Sequence, residues 1–232
     1  LGYVGTVSAA CLANEGNKII GVDINQEKIK LINNGISPII EKNLGSLIKD
    51  SYESGSLIAT NNLNDAILSS EVSIICVGTP NLSNGDLDMT SINKVVSEIS
   101  FALKEKSSFL TICIRSTIMP GSYFALKGLI EKTSGKKSNV DFALVLNPEF
   151  LREGSAIKDF YHPPYSVISG TSETGVRKIK KMLDFIKAPI LEPEINVAEL
   201  IKFLNNSFHA LKVAFANETG RICKSMGINS HE

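Results

Sequence analysis

Apolar positions along the chain change period several times, and those changes lay out its elements. Val72 to Val77, Phe109 to Ile114 and Asp141 to Leu146 are short, β-branched and nearly all apolar, the pattern of strands buried on both faces. Lys18 to Asp23 and Leu57 to Thr60 read as two further strands. Helical patterns lie between them: Val4 to Glu15, closed by Gly16, then Gln26 to Asn33, Glu41 to Ser54, Leu63 to Leu68 and Asp88 to Lys104. Strand-helix-strand alternation of this kind predicts a mainly parallel sheet with helices on both faces.

From Tyr165 to Leu191, two strand-like runs flank a basic helix and close the first domain, expected over residues 1–193. The texture then changes. Glu194 to Met226 has no proline and one late glycine, Gly220, and predicts one long helix that begins a helical domain over residues 194–232.

Composition narrows the function classes. Lys+Arg and Asp+Glu are both 24, so there is no basic excess to recruit nucleic acid. No apolar run approaches the ~18 residues of a membrane span. Cys11, Cys76, Cys113 and Cys223 show no paired spacing, which argues against a disulfide or metal framework and for buried thiols in a reducing compartment. With no secretory leader in view, the expectation is cytoplasmic. His162 and His231 have no evident partners and are expected at the surface.

The chemistry starts at Gly2-Tyr3-Val4-Gly5. Gly2 and Gly5 have the spacing of the second and third glycines of G-x-G-x-x-G, where one lets the backbone approach a pyrophosphate and the other lets the helix pack on its strand. The first glycine and its strand are expected upstream of Leu1. Asp23 ends the next strand, placed to accept from the adenosine ribose hydroxyls, and no Arg follows it to meet a 2′-phosphate. NAD is therefore expected in a doubly wound, Rossmann-like fold. A glycine-rich turn with Asp23 as a helix N-cap would give the same letters.

In such sheets, ligands bind beyond the carboxyl ends of the strands. Thr79 and Thr117 each follow a hydrophobic strand, where a hydroxyl can reach the cofactor or cap a turn. Glu149 and Glu153 follow Asn147-Pro148, which reads as an N-cap with proline at the first helical position. They are either first-turn acids or carboxylates for proton transfer. On the long helix, Lys202, Asn206, His209 and Asn217 fall within an arc of about 80° at about 100° per residue, opposite Leu204, Phe208, Leu211 and Phe215. Apolar flanks make this stripe narrow and mostly enclosed, so it is either a wet face or one side of a polar substrate site.

Gly2 to Gly5, Val22-Asp23, Cys76 to Pro80, Arg115 to Gly121, Asn147 to Asp159 and Glu199 to Glu218, in this order, resemble the nucleotide-sugar 6-dehydrogenases. Arg115 and Leu151-Arg152-Glu153 lean toward the GDP-mannose branch rather than the UDP-glucose branch. The resemblance implies oxidation of a sugar C6 hydroxyl to a carboxylate, using two NAD in turn and a cysteine thioester. It implies that Tyr3, Val4, Asp23, Lys28, Thr79 and Thr117 contact NAD, and that Glu153, Lys202, Asn206, His209 and Asn217 face the nucleotide-sugar. Lys202 and Asn206 would hold developing oxyanions, and Thr117 and Glu149 would position a water. It further implies a homodimer paired through the long helix. The family's nucleophile follows that helix in a segment like GGSCLPKD, which this sequence does not contain. The chain is accordingly expected to bind NAD without completing the reaction. A non-catalytic NAD-binding protein of the same fold is the alternative from another class.

Overall fold

A computed structural model describes residues 1–230. In chain order, the first elements are α1 (Tyr3–Asn14), β1 (Ile19–Val22), α2 (Gln26–Ile32), α3 (Leu44–Glu53), β2 (Leu57–Thr60), α4 (Leu63–Ser69) and β3 (Val72–Ile75). Then come α5 (Thr90–Glu105), β4 (Leu110–Ile114), α6 (Ser122–Ser134), β5 (Phe142–Leu146) and α7 (Ala156–Tyr161). The chain continues through β6 (Ser166–Val167), β7 (Ser169–Gly170), α8 (Glu173–Met182), β8 (Ile190–Leu191) and α9 (Ile195–Ser225).

β3, β4 and β5 pair in parallel, with Ile75 opposite Ile114 and Ile114 opposite Leu146, so their exits share one edge. β7 adds an antiparallel edge to β5. β1 and β2 form a separate parallel pair, as do β6 and β8.

Side chains alternate across the central strands with period two, which separates two cores. Cys113, Ala143 and Val145 face α1, α3 and α8, whereas Ile112, Ile114, Phe142, Leu144 and Leu146 face α5 and α6. Each of these residues is at most 3% exposed, and full burial of such a side chain contributes roughly 1.5–3 kcal/mol. Helices cover both faces of the sheet, as the alternation predicts.

Two local expectations need correction, and the single long helix is as expected. Residues 147–155 form no helix; α7 begins only at Ala156, because Asn147 spends its side chain on neighbouring strands instead of capping. The helix expected from Glu41 starts at Leu44, since the Glu41 carboxylate is drawn to the backbone at Gly154 and Ala156. Gly220 does not interrupt α9, which runs 31 residues. Its three buried residues, Ala198, Glu199 and Lys202, all lie in its first third.

Candidate functional site at the strand exits

The amino end of α1 has no side-chain cap and no acid in its first turn. Its first intrahelical bond runs from the Thr6 N–H to the Gly2 carbonyl at 2.9 Å, so the N–H groups ahead of it have no helical acceptor. A Cβ added to Gly2 would meet nothing within 4 Å, whereas one added to Gly5 would lie 3.4 Å from the Cys76 Cβ. Gly2 thus leaves room above a positive helix end, and Gly5 lets that helix settle on the β3 exit. This arrangement fits a pyrophosphate.

Asp23 closes β1 with a side chain 12% exposed. Burial pushes its carboxyl up. The Asn25 N–H at 2.8 Å and the Lys28 amine at 3.8 Å favour the charged form against that burial, and the carboxyl sits below its ordinary value. It is therefore an ionised acceptor, suited to a pair of ribose hydroxyls.

The next two exits are stitched together. Ser116 Oγ donates to the Val77 carbonyl at 2.7 Å and Thr79 Oγ1 donates to the Thr117 carbonyl at 2.9 Å. Arg115, 8% exposed, donates from Nη1 to Asn147 Oδ1 at 2.7 Å, and Asn147 Nδ2 donates to the Val167 carbonyl at 2.9 Å. That relay clamps the exits of β4, β5 and β6. The guanidinium also lies 5.6 Å from the Phe160 ring centroid.

Lys202 meets Glu149 at the β5 exit. Its Nζ donates to the Glu149 carbonyl and to Glu149 Oε1 at 3.1 Å, and it sits 5.2 Å from the Phe150 ring. The two side chains are 8% and 14% exposed. Lys202 also lines a shallow cleft with Ser116, Thr117, Pro148 and Glu199, and Glu149 stands behind the amine, outside that lining. A buried amine beside open space, already held by one carboxylate, suits an oxygen that acquires negative charge.

Glu153 is exposed and stands apart from this pair, beside Tyr3. Tyr3 donates its hydroxyl to the Glu41 carboxylate, which also accepts the Gly154 N–H at 2.9 Å and the Ala156 N–H at 3.2 Å. Burial and the Glu41 hydrogen bond push the Tyr3 phenol up to about 12. Asn206, His209 and Asn217 are all exposed, as are Leu204, Phe208, Leu211 and Phe215, so the expected enclosure of this stripe does not occur. Ile201 at its base packs on the core, but the flanks further along, Ala210, Val213 and Ala214, are exposed, and apolar character alone encloses nothing.

Burial pushes the thiols of Cys11 and Cys113 up to about 12 and that of Cys76 to about 11. Cys223 rides α9 roughly 30 Å beyond Lys202 at 1.5 Å per residue. His162 is exposed, as expected, and His231 lies outside the described residues. Among the described residues, no helix is long and apolar enough to cross a membrane. Sequence reading missed the roles of Glu41, Asn147 and Glu199. Only Glu199 left a trace, an acid three positions before Lys202 on the same helix.

Residues 1–187 match the model of the UDP-glucose/GDP-mannose dehydrogenase family, NAD binding domain, and residues 196–232 match that family's central domain. The chain is 46% identical to a GDP-mannose 6-dehydrogenase of Pseudomonas aeruginosa and 43% identical to one of Azotobacter vinelandii. Each match covers 100% of this chain and 53% of the relative. A ternary complex of the Pseudomonas aeruginosa GDP-mannose dehydrogenase superposes with a TM-score of 0.95 at 46% identity, over 100% of this chain and 53% of that one. The chain thus spans about half the length of the curated relatives it matches. With a glycine turn at an uncapped helix end, an ionised acid after the next strand and two matching family domains, the chain belongs to the UDP-glucose/GDP-mannose dehydrogenase family.

Proposed function

We propose that the whole protein oxidises the C6 hydroxyl of GDP-mannose to a carboxylate, giving GDP-mannuronate. The observation that carries this reading is the buried Lys202–Glu149 pair on the same rim as the uncapped end of α1. Over the reaction C6 loses four electrons as two hydrides and gains one oxygen from water. NAD, when bound, supplies the hydride acceptor.

Gly2, Tyr3, Val4 and Gly5 offer backbone and space for the pyrophosphate. Asp23 takes the ribose hydroxyls with Lys28 beside it, and Thr79 and Thr117 form the rim at the next two exits. Lys202 stabilises the C6 oxygen as its proton leaves, an effect that is large in a water-poor site. Glu149 orients that amine and, with Thr117, positions the water. Asn206, one turn above Lys202, shares the oxyanion, while Glu153, His209 and Asn217 face the nucleotide-sugar.

The nucleophile of the thioester step is a cysteine other than the four here. Cys11 and Cys113 are buried, Cys76 is half-buried with its thiol pushed up, and Cys223 is far along α9. We place the domain division at residues 193 and 194, and a homodimer seam along α9. The exposure of Leu204, Phe208, Leu211 and Phe215 at 59% or more supports that seam. Free buried thiols suit the cytoplasm.

The family description names two substrate branches, so the test offers both sugars. The full-length protein is expected to form two NADH per GDP-mannose consumed and to prefer it to UDP-glucose. Preference for UDP-glucose would move the protein to the other branch, and no NADH with either sugar would leave a non-catalytic NAD-binding protein.

A further inference from the structure

α6 starts at Gly121, whose φ of 90° suits glycine and which has no side chain to cap the helix; its first turn carries no acid. The cap comes from 78 residues away. Glu199 on α9 accepts the Gly121 N–H on Oε2 and the Tyr123 N–H on Oε1, both at 2.7 Å, and is only 4% exposed. Among the described residues, no cation lies within ion-pair reach of Glu199, so its charge rests on the two N–H groups and the positive helix end.

Glu199 and Lys202 are three residues apart on one buried face of α9, with Ala198 at 0% exposure packed into the core below them. One side chain ties α9 to the loop that runs from Thr117 to Gly121. The other ties it to the β5 exit. Both line the cleft that holds Thr117. Losing the Glu199 bond would let the helix base move against that loop and carry the Lys202 amine with it.

We infer that Glu199 is a positioning residue for the oxidation, setting the Lys202 amine against the Thr117 loop by capping α6 from another helix. The inference rests on the reading of Lys202 as the amine that holds the C6 oxygen. In the full-length protein, Glu199→Gln keeps the side chain's size but turns one accepting oxygen into an amide facing a backbone N–H. It is expected to lower kcat about 10- to 100-fold, the scale of a misplacement on the order of 1 Å. KM for NAD and for GDP-mannose should each stay within about threefold, since both Glu199 oxygens are taken by backbone N–H groups.

In a Lys202→Ala background, the same change should cost less than about twofold, because residues that act as a unit are not additive. An equal kcat loss in both backgrounds, or a near wild-type rate in folded Glu199→Gln, overturns the inference. A wild-type rate in Lys202→Ala alone overturns the reading beneath it, and shows this without any change at Glu199. If Glu199→Gln does not fold, Glu199→Asp keeps the charge at the helix end with a shorter reach. It should give the same split between kcat and KM at a smaller loss.

Discussion

The strand-exit rim and the upper shaft of α9 carry equally polar candidate residues, yet the chain treats them differently. On the rim, Lys202, Glu149, Glu199 and Arg115 are held by bonds to several elements. Along the shaft, Asn206, His209 and Asn217 stand exposed beside exposed leucines and phenylalanines. Preorganisation comes from neighbours, since a side chain costs little to hold only when packing and hydrogen bonds have already fixed it. The rim is finished by this chain's own fold, whereas the shaft's side chains are left exposed by it.

The contrast breaks most visibly at Lys202. Lys202→Ala in the full-length protein should lower kcat about 10³-fold while NAD affinity stays within about twofold. Steady-state kinetics beside NAD titration would check it, and a comparable loss in Asn217→Ala would erase the distinction between rim and shaft.

Packing gives the next contrast. Ile112 under the rim is 0% exposed and Leu211 on the shaft 64%. In this chain, Ile112→Ala should cost about 3 kcal/mol and Leu211→Ala less than about 0.5 kcal/mol in denaturant unfolding. In a dimer paired through α9, the Leu211 value should rise with protein concentration.

Gly2→Ala sharpens the account of the rim's cofactor end. Because its Cβ meets no atom within 4 Å, the fold should tolerate it, while NAD binding weakens about tenfold, near 1.4 kcal/mol, in a direct titration. Unchanged affinity would mean that the space above Gly2 is not the pyrophosphate's.

The smallest effect belongs to the loop behind the rim. Arg152 hydrogen-bonds Asp159 and holds its carboxyl below the ordinary range. A carboxyl lowered by folding adds stability that is complete above its unfolded value of about 3.9 and disappears as pH falls through the lower folded value. Asp159→Asn should thus cost under about 1 kcal/mol near neutrality, given that Arg152 is 68% exposed, and nothing in strong acid. Thermal melts across pH would show the difference closing.

Much of this architecture was readable from periodicity. Ile112, Ile114, Leu144 and Leu146 announce strands buried on both faces, and the structure sends alternate side chains into two cores. The turn at Gly2 and Gly5 and the acid ending β1 at Asp23 were readable as geometry, because tight turns and strand ends are set by short-range spacing. Asn147 misled, because Asn-Pro is a sound local signal for a cap. A buried guanidinium 32 positions away took its amide instead. The stripe on α9 was legible as a face, but its surroundings were not.

By itself, then, the sequence determined which residues repeat with helical or strand period and where glycine and acid punctuate the nucleotide turn, since these depend on neighbours along the chain. Only the tertiary structure decided that Lys202 meets Glu149 across 53 positions, that Glu199 caps a helix 78 positions away and that the Tyr3 hydroxyl meets Glu41 across 38. Those pairings are choices among distant hydrogen-bond partners, settled by which polar groups burial brings within reach of one another.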